Sequence, residues 1–106
     1  MENKSKATTF IGFAIRKGSY KIGVNAIFTL KKANLLILCK SAGKDTTRQA
    51  LKLSKRFNCK LLRTESELLS KITYRENAKL MAITDGALSV AILNNSENEF
   101  IEVLGE

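Results

Sequence analysis

The sequence predicts an α/β domain with helices on both faces of a small sheet. Three observations lead there. Stretches whose apolar residues recur at helix-face spacing alternate with short uninterrupted apolar runs, the pattern of strands covered on both sides. No internal repeat, low-complexity stretch or linker divides the chain. Its 106 residues, 44% hydrophobic and 26% charged, have an ordinary globular composition. A chain of that size buries roughly 60–70% of its unfolded surface. One domain over residues 1–106 is therefore expected, with about 94–106 as a loosely held acidic tail.

Taken in order, Ser5 to Lys17 reads as the first helix, with Ala7, Phe10, Ile11 and Ala14 on one face. Arg16 and Lys17 suit its negative end, and Gly18 is a left-handed stop. A glycine-punctuated basic loop follows and enters a second, short helix at about Val24, with Ala26, Ile27 and Leu30 at helical spacing. Ala33 to Cys39 is an apolar run and is assigned as a buried strand. Asp45 closes the next polar loop as an N-cap. The third helix, about Thr46 to Phe57, gathers Ala50, Leu53 and Phe57 on one face. Lys44, Arg48, Lys52, Lys55 and Arg56 fall within an arc of about 120° on the other side. Asn58 can end it. Cys59 to Arg63 is a short strand, and Thr64-Glu65-Ser66-Glu67 is a capping box opening a fourth helix through Leu68, Leu69 and Ile72. After a polar loop with Tyr74, Arg75 and Asn77, Lys79 to Thr84 forms a buried strand. Asp85-Gly86 leads into a last helix, and Phe100 to Leu104 adds an edge strand or stays in the tail.

Charge narrows the function. The net charge is +8 and strongly polarised. Through Arg63 there are fifteen Lys and Arg against Glu2 and Asp45, leaving +13; from Thr64 onward three face eight acids, leaving −5. A small domain polarised in this way points to a polyanion partner, nucleic acid before membrane. Lys71 and Lys79, on the acidic side of the divide, are expected to contribute little. No apolar run approaches the roughly 20 residues of a membrane span, and Met1 to Lys6 lacks the long apolar segment and small-residue cleavage site expected of a signal peptide. Two cysteines, Cys39 and Cys59, are too few for a disulfide framework and are expected as reduced buried thiols, consistent with a cytoplasmic protein. The chain contains no His, which argues against a zinc site or a hydrolytic triad.

The stretch Gly18 to Lys32 is the candidate site. Gly18 and Gly23 free the backbone for a tight approach. The first turn of the helix beginning near Val24 offers unpaired N–H groups to an anion. Lys21, Lys31 and Lys32 are expected to add charge around it, and the Asn25 amide can read a base edge. A βα turn with solvated lysines is the structural alternative.

The order of these pieces resembles the ribosomal protein L-seven-Ae/L-thirty-e family of kink-turn RNA binders, in particular its small bacterial YlxQ-like members. The similarity runs from about Thr9 to Leu93. Phe10-Ile11-Gly12-Phe13-Ala14 is similar to LLGLA in those members, Leu38 to Thr46 (LCKSAGKDT) to LAEDASENT, and Ala82-Ile83-Thr84-Asp85 to AVTD. The resemblance implies a three-layer α/β/α sandwich around a mixed sheet of about four strands. It also implies RNA held by the loop and start of the second helix, helped by the loop before the last strand. The family motif there, Gly-x-Asn-Glu-x-x-Lys, falls on Gly23 to Thr29: Gly23 and Asn25 match, while Ala26 replaces the base-reading Glu and Thr29 the phosphate-binding Lys. The partner loop corresponds to Tyr74 and Arg75, which would pack on a flipped-out base or sugar. The expectation is a monomeric, non-catalytic protein of ribosomal or other structured RNA, with no cofactor and no membrane. Two alternatives stay open: a paralogue without kink-turn recognition that acts as a protein-interaction module, and a small nucleotide-binding α/β domain. Gly18-x4-Gly23 has the spacing of neither phosphate-loop nor dinucleotide fingerprints.

Overall fold

The computed structural model describes residues 6–64, 78–95 and 100–103. Within them the chain runs α1 (Lys6–Lys17), β1 (Tyr20–Ile22), α2 (Val24–Phe28), β2 (Leu35–Leu38), α3 (Lys44–Phe57), β3 (Lys60–Thr64), β4 (Leu80–Ile83), α4 (Gly86–Asn94) and β5 (Phe100–Glu102). The five strands form one mixed sheet in the order β1-β4-β2-β3-β5, with β2 and β3 parallel and the other pairs antiparallel.

Alternation along the central strands sends successive side chains to opposite faces, and each face meets its own helices. Leu35, Ile37, Leu62, Met81 and Ile83 pack with Ala7, Ile11 and Ala14 of α1 and Ile92 of α4. Leu36, Leu38, Leu61, Leu80 and Ala82 pack with Ile27 of α2 and Ala50 and Leu53 of α3. The fold is thus a three-layer α/β/α sandwich. Complete burial of the Leu and Ile side chains contributes about 1.5–3 kcal/mol each.

The face of α1 is as the spacing predicts, Phe10 being partly buried beside Ala7, Ile11 and Ala14. Two chain reversals follow one rule. At the end of α1, Gly18 has φ +80°, the Ser19 N–H reaches the Ala14 carbonyl at 2.9 Å and the Gly18 N–H reaches that of Ile15 at 3.1 Å. At the end of α3, Asn58 has φ +52°, with Cys59 N–H on Ser54 at 3.0 Å and Asn58 N–H on Lys55 at 3.2 Å. Both are Schellman closures, filled by the two residue types that tolerate left-handed backbone.

The small mixed sheet is as expected, with Tyr20–Ile22 of the basic loop pairing along β4 and Phe100–Glu102 adding the edge strand along β3 to make five strands. Two expectations need correction. Helix α3 starts at Lys44 with Gly43 as its N-cap, so Asp45 lies inside the first turn and faces Arg48 at 3.6 Å instead of capping. Helix α2 stops at Phe28, one and a half turns long, and Leu30 packs from the following segment. Asp85 does cap α4, its Oδ1 accepting the Leu88 N–H at 2.9 Å. The helix expected through Leu68, Leu69 and Ile72 lies outside the described residues. No helix among the described residues is long and apolar enough to cross a membrane.

Candidate nucleic-acid interface

Register decides which of the expected site residues meet. The carboxyl ends of β2 and β3, at Leu38 and Arg63, lie beside the start of β4, Leu38 pairing with both Arg63 and Leu80. The end of β1 reaches the same place, since the Gly23 N–H donates to the Leu80 carbonyl at 2.9 Å. Gly23 then turns the chain into α2 with φ +95° and ψ 145°, backbone that an L side chain rarely adopts. Asn25 follows in the first turn, exposed, and no side chain caps the turn. Because α2 has only five residues, few peptide dipoles add there, and what it offers is its uncapped N–H groups.

The β2–α3 loop closes on the same end of the sheet. The Cys39 N–H donates to the Lys79 carbonyl at 2.8 Å, and the Lys79 ammonium donates to the Ser41 hydroxyl at 2.6 Å. Ser41 Oγ lies 3.3 Å from the buried Cys39 thiol, and the Lys40 N–H reaches the buried Thr64 hydroxyl at 3.3 Å. Lys40, Lys44 and Arg63 are exposed around this loop. Among the described residues Asp45, the partner of Arg48, is the carboxylate at this end. The carboxyl end of the parallel pair is thus a cationic rim around a serine hydroxyl and an exposed amide. Crevices at this end of open α/β sheets are where ligands commonly bind.

The rest of the predicted set is distributed elsewhere. Lys21 is exposed at the middle of edge strand β1 opposite Ala82, on the α2/α3 face. A lysine there also discourages pairing with another chain's edge. Thr29 ends α2, and its hydroxyl donates to the Ala26 carbonyl at 2.6 Å. Ala26 is half-buried while Ile27 beside it is fully buried, so Ile27 fills the core position and Ala26 lies at its margin. Gly18, Lys31 and Lys32 sit at the opposite end of the sheet, where the Thr84 N–H meets the Ser19 carbonyl and the Asn34 N–H meets that of Ile83. Lys31 and Lys32 therefore do not surround the start of α2 as expected. They follow its far end, because α2 runs back across the sheet toward the start of β2. Tyr74 and Arg75 lie outside the described residues.

Sequence reading missed Lys79, Ser41 and Lys40. Lys79 belongs to the acidic half of the chain, but antiparallel pairing of β4 with β2 delivers it to the rim. The available signal was its place at the head of the apolar run Leu80–Ile83, whose pairing direction the sequence does not specify. Arg56, counted in the basic arc of α3, has a different task. Its guanidinium donates to the carbonyls of Phe28 at 3.0 Å and Leu30 at 3.2 Å, closing the end of α2. Cys39 and Cys59 form no disulfide; Cys39 is buried as expected while Cys59 is only half-buried, which still pushes its thiol up to about 11 and keeps it protonated at neutral pH.

No family model matches the chain and no curated protein matches it significantly. The fold is similar to that of a solved Bacillus halodurans C protein of unknown function. The TM-score is 0.73 with 18% identity, covering 86% of this chain and 96% of that one. That likeness supports the sandwich and says nothing of a ligand.

Proposed function

We propose that this protein is a non-catalytic RNA-binding protein, ribosomal or ribosome-associated, that recognises structured, kink-turn-like RNA. The observation that carries the reading is the convergence of Gly23 and Asn25 with Lys40, Ser41, Lys44 and Lys79 at one end of the sheet. Phosphates are held by the lysines and the uncapped turn, while Asn25, with two donors and an acceptor, reads a base edge. The resemblance to the L-seven-Ae/L-thirty-e family supports the same end of the fold. Ala26 and Thr29 depart from its motif, and this leaves Asn25 as the base reader and the rim lysines as the phosphate contacts.

The test is a filter-binding titration against a kink-turn RNA, an unkinked duplex of equal composition, and ATP. With four to six phosphates neutralised, the log–log slope of affinity against salt should be about −3 to −5. Asn25→Ala should cost about 1–3 kcal/mol on the preferred RNA and leave the melting temperature unchanged, since the side chain is exposed. Ala26→Glu restores a carboxylate where the family has one. If the register is right it raises preference for the kink-turn over the duplex, although the added negative charge weakens binding to both. Loss of stability without that gain would remove the assignment, as would a wild-type salt slope near zero or tighter binding of ATP than of RNA.

A further inference from the structure

We infer that the outward face of α3 is a second contact surface, a track for the phosphate backbone of an A-form RNA stem flanking the element held at the rim. This rests on the RNA-binding reading above and extends it to which part of the RNA lies where. At 100° per residue, Lys44, Arg48, Lys52 and Lys55 fall within an arc of about 80° opposite Ala50 and Leu53, and all four are exposed while Ala50 and Leu53 are fully buried. Arg56 lies at the margin of that arc and is turned onto the carbonyls of Phe28 and Leu30, so it leaves the track. Lys44, Arg48 and Lys52 follow at i, i+4 and i+8, so their Cα atoms advance about 6 Å per step, a stride comparable with that between successive phosphates on one strand. Lys44 also belongs to the rim, which makes the two surfaces continuous.

The composition of the arc selects the partner. Its exposed residues include no large apolar side chain; Phe13, Phe28 and Val90, the exposed ones among the described residues, stand on other helices. Binding of single strands relies on aromatic platforms for the bases, and binding in a membrane interface relies on apolar side chains beside the cations. A row of cations without either addresses a backbone whose bases are stacked inside a duplex, which proteins recognise by shape and by phosphate and 2′-hydroxyl contacts.

The test uses a fluorescein-labelled, perfectly paired RNA duplex of roughly 16 base pairs, a length that an A-form reader can span. A kink-turn RNA carrying the same stem and vesicles containing phosphatidylserine complete the set of probes. Lys44→Gln, Arg48→Gln and Lys52→Gln together should weaken duplex binding at least tenfold and lower the salt slope by about 2–3. Lys6→Gln, on α1 in the opposite layer, should leave duplex binding unchanged. Asp45→Asn, which removes the acid on this helix, should tighten it. Gln is a good helix former, and circular dichroism of each variant checks that α3 is intact. Equal duplex affinity for the wild type and the triple variant overturns the track, as does tighter binding to vesicles than to duplex. If the kink-turn still binds in an Asn25-dependent way while the triple variant is silent, only the track falls. If no RNA binds, the functional reading falls with it.

Discussion

The two helical layers of this sandwich are built on the same sheet from similar apolar material, yet they carry different amounts of charge. On the α1/α4 side, α4 carries no charged residue, and Lys17 of α1 is paired with Asp85 at the head of α4. Arg16 lies over the Phe13 ring at 4.9 Å. On the α2/α3 side, Lys31, Lys32, Lys44, Arg48, Lys52, Lys55 and Arg56 share the surface, among the described residues, with the acid Asp45. Like charges gathered on one layer raise the free energy of the folded chain unless a polyanion relieves them. The gathered cations of the α2/α3 layer fit the proposed polyanion partner, whereas the α1/α4 layer carries fewer, Lys6, Arg16 and Lys17, the last paired with Asp85.

The largest expected effect breaks the comparison at the rim. Lys40→Glu with Lys79→Glu removes two of the proposed phosphate contacts and adds two repulsions, which should lower affinity for folded RNA about 10–100-fold at moderate salt. The same reversal on the other layer, Lys6→Glu with Arg16→Glu, changes net charge equally and should move affinity by less than about threefold. Equal losses in filter binding would mean that total charge, rather than its placement, controls association.

That pair also shows how far the sequence carries. The strands β2, β3 and β4 and helices α1, α3 and α4 are legible because each has a run or a period of its own. Tyr20–Ile22 is not, since three residues are too short for a period and their partner, β4, lies some sixty residues ahead. Nor is the division of the site. Lys31 and Lys32 look close to Gly23 in the chain but lie at the far end of the sheet, whereas Lys79 looks remote and lies next to it. Proximity in sequence misleads wherever a short helix crosses a sheet, and only strand register resolves it.

A smaller effect is expected where the cationic layer is also structural. Arg56→Ala deletes both hydrogen bonds that close α2. The expected loss is about 1–2 kcal/mol, a drop of several degrees in melting temperature for a domain of this size. Amide exchange should rise at Ile27 and Leu30, whose N–H groups bond within this segment, more than at Leu53. Arg56→Lys should recover little, because an ammonium cannot span two carbonyls as the planar fork does. Lys52→Ala, on the same helix but outside that contact, should leave stability near wild type. If Arg56→Ala behaves like Lys52→Ala, Arg56 belongs with the track after all.

The smallest effect concerns the α1/α4 layer. The hydrogen bond from the Lys17 ammonium, and after it that from the Leu88 N–H, holds the Asp85 carboxyl below the ordinary carboxylate range. A carboxyl depressed on folding stabilises the protein at pH above its unfolded value, about 3.9, and that contribution is lost as pH falls through the lower folded value. Asp85→Asn keeps an oxygen to cap Leu88 but removes the charge facing Lys17, so it isolates the pair from the cap. Lys17 is 62% exposed on its side chain, and solvent screening keeps such a pair weak. A small drop in melting temperature is expected at neutral pH, diminishing in high salt and vanishing as the pH falls below the carboxylate range. A deficit undiminished at low pH would mean that the Asn side chain disturbs the cap itself. RNA affinity should not change in either case, because this charge lies at the amino end of the sheet, on the layer opposite α3.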